Sequence, residues 1–248
     1  MLEKEWDERR ELIVPGDKEE TLTFCVEHFI HTAQEAIAQH GSFFVALSGG
    51  STPKAIFERL CHPPYKKQID WPKVYLFWSD ERSVPPDHPE SNYHMAMKAG
   101  FSEMPIPPEH IHRMHAETDI EKNALAYEKI IQKSLKGRPF DLIMLGMGED
   151  GHTASLFPHT EGLKATGRLV IPNYIKKLDA MRMTFTYDCI NHANHIAIYV
   201  LGASKQDILA KVLKGHHQPD EYPIQKVGTP AHKALWIADQ DAASELVE

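Results

Sequence analysis

A histidine and two acidic residues stand together in a glycine-rich segment in the second half of the chain. Residues 146–152, GMGEDGH, place Glu149 and Asp150 directly before His152. Imidazole takes and returns a proton near neutral pH, so His152 is a candidate general base. A surface turn in which Asp150 acts as a cap is the plainer interpretation of the same residues. A divalent ion held by His152 and a neighbouring acid is a further alternative, but neither an HxxxH pair nor a cysteine is near, and we expect no metal.

A second glycine-containing segment could bind a ligand through its backbone. Residues 48–52, SGGST, offer N–H groups and hydroxyls to an anionic or sugar ligand. The alternative is a tight connection between a strand and a helix, capped by Ser51 or Thr52. The segment lacks the GK[ST] ending of a P-loop and does not match the GxGxxG fingerprint.

Several cations could hold a phosphate or stabilise a developing negative charge. Residues 79–82, SDER, put three charged residues directly after an apolar run. Such a run of charges usually lies in a solvated loop, but a position at the end of a strand favours a functional interpretation. Arg82 has the forked geometry that binds carboxylates, phosphates and oxyanions. Arg182 and Lys205 could add positive charge, although each taken alone is typical of a solvated surface cation.

These segments follow continuous apolar runs of strand length. The runs are FFVAL at 43–47, VYLFW at 74–78 and FDLIML at 140–145. Runs of this kind are typical of strands that are buried on both faces of a parallel sheet. Because ligands of open α/β folds bind at the carboxyl ends of such strands, we expect the three polar segments to lie at one edge of the sheet.

The remaining pattern predicts further strands and helices. Strands are expected within 4–14 and at 169–172, 182–187, 196–201 and 234–238. Helices are expected from Asp17 to Gly41, from Pro53 onward, and at 91–97, 119–135 and about 205–213. We also predict a helix start at 153–157 and a small helix after residue 238. Strands and helices alternate along most of the chain, which predicts a mostly parallel twisted sheet with helices on both faces.

Length and charge restrict the class of protein. The chain has 248 residues and a net charge of −8, so a nucleic acid is not expected as a partner. A small anionic substrate needs only a local cluster of cations. We expect one domain over residues 1–248 and a cytoplasmic location, because the first residues are charged and no apolar run approaches the ~20 residues of a membrane span. The three cysteines are expected to be reduced thiols: Cys25, Cys61 and Cys189.

Four segments together resemble the 6-phosphogluconolactonases of the glucosamine-6-phosphate isomerase/6-phosphogluconolactonase family. They are ALSGGSTPKAIFERL, FWSDERSVPPDHPESNYHMA, FDLIMLGMGEDGHTASLFP, and RMTFTYDCIN followed by VLGASKQDIL. Glucosamine-6-phosphate deaminases share the fold, the early glycine loop and a GDGH-like turn. Those enzymes typically carry Asp-Glu-Tyr where this chain has Asp80-Glu81-Arg82, so SDER with the later SNY favours the lactonases.

The resemblance implies a fold, a reaction and a set of partners. The fold would be Rossmann-like and similar to that of the deaminases. The reaction would be hydrolysis of 6-phospho-D-glucono-1,5-lactone to 6-phospho-D-gluconate, the second step of the oxidative pentose phosphate pathway. The enzyme would need no cofactor, would not bind a membrane, and would act as a monomer or a homodimer.

The resemblance also implies roles for particular residues. His152 would be the general base, oriented by Asp150. We infer, apart from the resemblance, that Arg82 or the backbone N–H groups of Gly49 and Gly50 could hold the oxyanion. Arg182 and Lys205 would grip the phosphate. The complete set expected to bind substrate is Gly49, Gly50, Ser51, Thr52, Asp80, Glu81, Asn92, Arg182 and Lys205.

Two other functions remain as alternatives. An isomerase–deaminase acting on glucosamine 6-phosphate would need a base for a carbon-bound proton, and Asp80 could fill that role. A non-catalytic sugar-phosphate sensor would need an attached DNA-binding helix pair, for which the short stretch before the first long helix leaves little room.

Overall fold

A central seven-stranded sheet organises the protein, and the computed structural model describes it over residues 1–246. Within these residues the strands are β1 (Leu2–Asp7), β2 (Arg10–Val14), β3 (Phe43–Leu47), β4 (Val74–Trp78), β5 (Asp80–Arg82), β6 (Leu142–Gly146), β7 (Val170–Ile175), β8 (Ala180–Phe185), β9 (His195–Val200) and β10 (Ala234–Ala238). The α-helices are α1 (Lys18–His40), α2 (Ser51–Leu60), α3 (Asn92–Lys98), α4 (Ile120–Leu135), α5 (Tyr187–Ile190) and α6 (Gln206–Lys214). The prediction of a mostly parallel sheet with intervening helices is confirmed.

The order of the central sheet is β1-β2-β10-β9-β6-β3-β4. All neighbouring pairs are parallel except β1 and β2, which form an antiparallel pair at one edge. Every residue of β3 is buried, as the continuous apolar run predicted. The chain leaves β3 toward β4 on one side, whereas β6 lies on the other side of β3. This reversal is the switch point at which open α/β sheets form a crevice.

The capping residues of α1 behave as the sequence predicted. The Asp17 side chain accepts a hydrogen bond from the Glu20 N–H, and the Glu20 side chain accepts one from the Asp17 N–H, which makes a reciprocal capping box. Gly41 ends the helix with φ 84°, a left-handed conformation that favours glycine. These local signals fix both ends of the helix that precedes β3.

A separate three-stranded antiparallel sheet, in the order β5-β8-β7, lies beside the switch point. It contains Asp80 and Arg82, for which a solvated loop was the plainer expectation. Glu128 of α4 connects this sheet to the rest of the protein, because its carboxylate accepts hydrogen bonds from the backbone N–H groups of Leu169 and Val170 and from the Arg168 guanidinium.

The expected helix start at 153–157 is wrong. Thr153 and Leu156 instead form an isolated antiparallel bridge, and Ala154 has φ 47°. Other hydrogen bonds replace the helical ones: the Thr153 hydroxyl donates to the Gly146 carbonyl in β6, and the Ser155 N–H donates to the Thr184 hydroxyl in β8. Tertiary contacts therefore determine the path of the chain after His152.

Two further expectations about the fold have different outcomes. The segment after β10 forms turns through residue 246, so the expected small helix is wrong over the described part of that segment. A single domain over residues 1–248 stays a prediction. Among residues 1–246, no helix combines the length and apolar composition that crossing a bilayer requires.

Candidate active site

A cleft of about 240 Å³ opens at the carboxyl ends of four adjacent strands, β9, β6, β3 and β4. Most of the predicted site residues line it. These are Gly49, Gly50, Ser51, Thr52, Asp80, Arg82, Asn92, His152 and Lys205. Parallel strands therefore bring together segments that are more than 150 residues apart in sequence. Tyr199 also lines the cleft, and the sequence analysis did not identify it, because an aromatic residue inside an apolar strand is typical of a core position.

His152 and Asp150 form a hydrogen-bonded pair at the end of β6. Nδ1 of the imidazole lies 2.5 Å from Oδ1 of Asp150. Partial burial works to raise the pKa of Asp150, but hydrogen bonds from His152 and Lys177 outweigh it and hold this pKa well below its usual range. Because an ionised carboxylate only accepts hydrogen bonds, Nδ1 is the donor, and Nε2 is the nitrogen that can accept a proton. The pair thus has the arrangement of a base and its orienting acid.

Two neighbours hold the imidazole ring in place. A Cβ atom on Gly148 would lie 2.0 Å from Nδ1 of His152, so a side chain at residue 148 would occupy the position of the ring. Phe157 stacks on the imidazole, with ring centroids 3.9 Å apart and planes inclined by 13°. Gly148 therefore makes room for the histidine itself.

Lys177 contacts the second oxygen of Asp150. Its ammonium group pairs with Oδ2 and also lies 5.0 Å from the centroid of the Phe157 ring. Lys177 is 27 residues from Asp150, and no local pattern singles it out from the neighbouring lysine. Neither Lys177 nor Phe157 is predicted from the sequence as part of this site.

The opposite wall of the cleft is held by hydrogen bonds around Asp80. Asn92 donates through Nδ2 to the Asp80 carbonyl at 2.9 Å, and the Ser155 hydroxyl donates to Oδ2 of Asp80 at 2.7 Å. A Cβ atom on Gly49 would lie 2.0 Å from Oδ1 of Asn92, so the β3 turn packs tightly against this amide. The two walls are thus connected through Ser155, in the loop that follows His152.

The expected contact between Glu81 and the substrate needs correction. Glu81 is only 2% exposed and does not line the cleft. Its carboxylate accepts hydrogen bonds from the Ser91 hydroxyl and from the backbone N–H groups of Asn92 and Tyr93. Burial raises the pKa of Glu81, and these backbone N–H groups oppose that rise. Glu81 therefore binds the start of α3 and fixes the position of Asn92.

Arg82 and Arg182 lie directly opposite each other in the ladder between β5 and β8. Arg82 lines the cleft, and its Nη1 donates to the Glu90 carbonyl at 2.5 Å. Arg182 does not line the cleft, which corrects the expectation that it converges there with His152 and Lys205. Burial and the adjacent charge of Arg82 both lower the pKa of Arg182. Arg182 adds positive charge beside the site without forming its wall.

Two other groups contribute positive electrostatic potential to the cleft. Lys205 ends a short 3-10 turn after β9, and its Nζ donates to the Met147 carbonyl at 2.8 Å. Helix α2 begins at Ser51 beside the same cleft, and its N-cap, Gly50, supplies no side-chain hydrogen bond. The N–H groups of the first turn of α2 can therefore bind an anion. Across the described residues, no group of three or more His, Cys, Asp or Glu side chains could hold a metal ion.

The chain is similar in sequence and in fold to several known proteins. Residues 16–236 match the family model of glucosamine-6-phosphate isomerases/6-phosphogluconolactonase. The chain is 38% identical over 234 residues to a 6-phosphogluconolactonase of Chlamydia trachomatis, an alignment that covers 93% of this chain and 88% of the relative. The crystal structure of a 6-phosphogluconolactonase from Thermotoga maritima superposes with a TM-score of 0.80 at 28% identity, covering 92% of this chain and 98% of the other. A monomeric glucosamine-6-phosphate deaminase has the same TM-score, 0.80, at 18% identity, covering 94% and 98% of the two chains, and shares the fold alone.

Replacing Gly148 with alanine tests whether this glycine makes room for His152. We expect the imidazole to move away from Asp150, because the new methyl group would lie within about 2 Å of the present ring position. A crystal structure of the variant would give the distance between Nδ1 and the Asp150 carboxylate. Gly146→Ala is the matched control, since a Cβ there meets nothing within 4 Å. An unchanged bond in Gly148→Ala would show that the loop relaxes instead.

Proposed function

The chain belongs to the family of glucosamine-6-phosphate isomerases and 6-phosphogluconolactonases, and from this premise we propose that it acts as a 6-phosphogluconolactonase. It hydrolyses 6-phospho-D-glucono-1,5-lactone to 6-phospho-D-gluconate, the second step of the oxidative pentose phosphate pathway. The observation that carries the proposal is the His152–Asp150 pair at a cleft that also contains Lys205, Arg82 and the start of α2.

The reaction begins with a water molecule that His152 activates. Nε2 removes a proton from the water as its oxygen attacks the lactone carbonyl, and the carbonyl oxygen becomes negatively charged. Asp150 remains ionised and stabilises the imidazolium that forms. Arg82 or the backbone N–H groups of Gly49 and Gly50 hold the oxyanion, where a donor contributes about 10²–10³-fold.

Collapse of the tetrahedral intermediate completes hydrolysis. The bond between the carbonyl carbon and the ring oxygen breaks, and the His152 imidazolium returns its proton to that oxygen. One water is consumed. The products are a carboxylic acid, which ionises to the carboxylate and a proton, and the free hydroxyl that was the ring oxygen. A general base typically supplies about 10²–10⁴-fold, and a strained ester needs less acceleration than an amide.

The phosphate is held at the cationic end of the cleft. Lys205 supplies a full charge, and Ser51 and Thr52 supply hydroxyls and N–H groups at the start of α2. Arg182 acts at longer range, because it lies beside Arg82 and outside the lining. This division of roles revises the expectation that Arg182 and Lys205 both grip the phosphate.

The position of Asp80 favours the lactonase over the deaminase. A deaminase would use this carboxylate to remove a carbon-bound proton. Here Oδ2 of Asp80 accepts a hydrogen bond from Ser155, and Oδ1 accepts a longer one, 3.3 Å, from Asn92. Both oxygens are engaged in the cleft wall, so we propose that Asp80 orients substrate hydroxyls together with Asn92.

A direct assay tests the function. Freshly generated lactone should be hydrolysed in proportion to enzyme concentration, above its spontaneous rate, in a coupled assay that follows 6-phosphogluconate. Glucosamine 6-phosphate should release no ammonia above background under the same conditions. Ammonia release without lactone hydrolysis would replace the proposed function with that of a deaminase.

His152→Ala should lose most of kcat, by about 10²–10⁴-fold, because no base then activates the water. Binding of 6-phosphogluconate, measured by calorimetry, should persist, since the phosphate contacts are intact. His159→Ala is the matched control, because His159 lies seven residues later, is exposed, and pairs with Glu221 outside the cleft. A His152→Ala enzyme that works at the wild-type rate would refute the assignment of the base.

Lys205→Ala should raise KM by about tenfold or more and change kcat little, because a charge-assisted contact to the phosphate is lost. Arg182→Ala should raise KM less, since Arg182 does not line the cleft. Steady-state kinetics on the lactone would measure both, with the exposed Lys211 of α6 changed to alanine as the control. A pure loss of kcat in Lys205→Ala would place this lysine at the carbonyl.

We further propose that the enzyme acts in the cytoplasm. The support is that its three cysteines are buried free thiols, as is typical of reducing compartments. Action as a monomer or a homodimer stays a prediction, as does the expectation that the enzyme needs no cofactor or metal and binds no nucleic acid.

A further inference from the structure

We propose that Lys177 is a positioning residue for the reaction, because it binds the second oxygen of Asp150 and so weakens the hold of that carboxylate on the His152 imidazolium. The kinetic consequence rests on the proposed function, but the effect on the imidazole does not. Lys177 lies in the turn Lys176–Leu178 between β7 and β8, outside every motif identified above.

Four side chains contact one another in a ring: Lys177, Asp150, His152 and Phe157. The Lys177 ammonium pairs with Oδ2 of Asp150, whose Oδ1 binds Nδ1 of His152. The imidazole stacks on Phe157, and the ammonium lies 5.0 Å from the centroid of that same phenyl ring. Lys177 thus contacts Asp150 and Phe157, the two side chains that bind and stack on the imidazole, although it does not line the cleft.

The carboxylate of Asp150 therefore interacts with two groups, the Lys177 ammonium and the His152 imidazole. An imidazolium that alone faced Asp150 would receive the full stabilisation of an adjacent negative charge, which strengthens its hold on the proton. The ammonium on the other oxygen weakens this stabilisation and also repels a charged imidazole. Because a general base is most useful when it is largely unprotonated at the working pH, Lys177 favours the active form.

Other titratable groups lie around the pair and set a background that Lys177 modifies. In the cleft that His152 lines, these are Asp80, Arg82, Tyr199 and Lys205. In a second cavity, which Asp150, Phe157 and Lys177 line together, they are His159, Lys176, Glu221 and Tyr222. None of them has a hydrogen bond or ion pair to Asp150 among the contacts within residues 1–246. The pairing with Asp150 therefore distinguishes Lys177 from the cations of the cleft.

A structural role for this ion pair would be small. The Lys177 side chain is 55% exposed, and exposed pairs contribute little to stability. Lys177→Met should consequently leave the melting temperature nearly unchanged. If Lys177→Met changes the titration of His152 without changing the melting temperature, Lys177 acts by positioning and not by stabilising the fold.

The test is an NMR titration of the His152 imidazole in the full chain without substrate, with the resonance assigned by its absence in His152→Gln. Lys177→Met should raise the pH midpoint of this resonance by about half a unit, the size expected for loss of a partly exposed charge pair. Lys177→Arg should restore the wild-type midpoint. Lys176→Met is the matched control, because Lys176 is an exposed lysine in the same turn without an ion pair to Asp150 among the described contacts.

Kinetics provide the second measurement. The acidic limb of kcat/KM against pH should move upward by the same half unit in Lys177→Met, because more enzyme is protonated at a given pH. An unchanged or lowered midpoint in Lys177→Met, or an equal shift in Lys176→Met, would overturn the proposal. If the imidazole shifts as expected but the wild-type protein does not hydrolyse the lactone, the proposed function fails while the role of Lys177 stands.

Discussion

The hydrogen bond between Asp150 and His152 is the interaction on which the rest of the site depends. It fixes which nitrogen of the imidazole donates and which one can accept a proton. Gly148 leaves open the space that the imidazole ring occupies, and Phe157 stacks on the ring, so both residues favour the geometry of this bond.

The cleft shows how an acidic protein can bind an anion. The net charge of the chain is −8, yet Lys205, Arg82 and the first turn of α2 meet at one crevice. The acidic groups nearest to these cations are engaged elsewhere: Glu81 binds the start of α3, and Asp80 accepts hydrogen bonds within the wall. Local placement at strand ends therefore matters more than overall composition for this substrate class.

Sequence patterns predicted the parts of the structure that depend on local physics. Continuous apolar runs located β3, β4 and β6, and the residues after these strands do line one cleft. The path of 153–157 could not be predicted, because the Ser155 N–H donates to Thr184 of β8, which lies 29 residues later in the chain. Glu81 was assigned to the substrate because it stands among charged residues, whereas its burial depends on how α3 docks. The contribution of Lys177 depends on a turn that returns to the site from a different sheet.

The small antiparallel sheet explains why both sides of the site are held together. Its edge strand β5 carries Asp80 and Arg82 into one wall, and the turn between β7 and β8 brings Lys177 to Asp150 on the other side. The loop after His152 is attached to this sheet as well, because the Ser155 N–H donates to Thr184 while its hydroxyl donates to Asp80. The central parallel sheet alone would form the crevice, but the polar loops of the crevice would then be held only where they leave its strands. The second sheet supplies the other support, and a displacement of β8 would disturb the base and the anion-binding wall together.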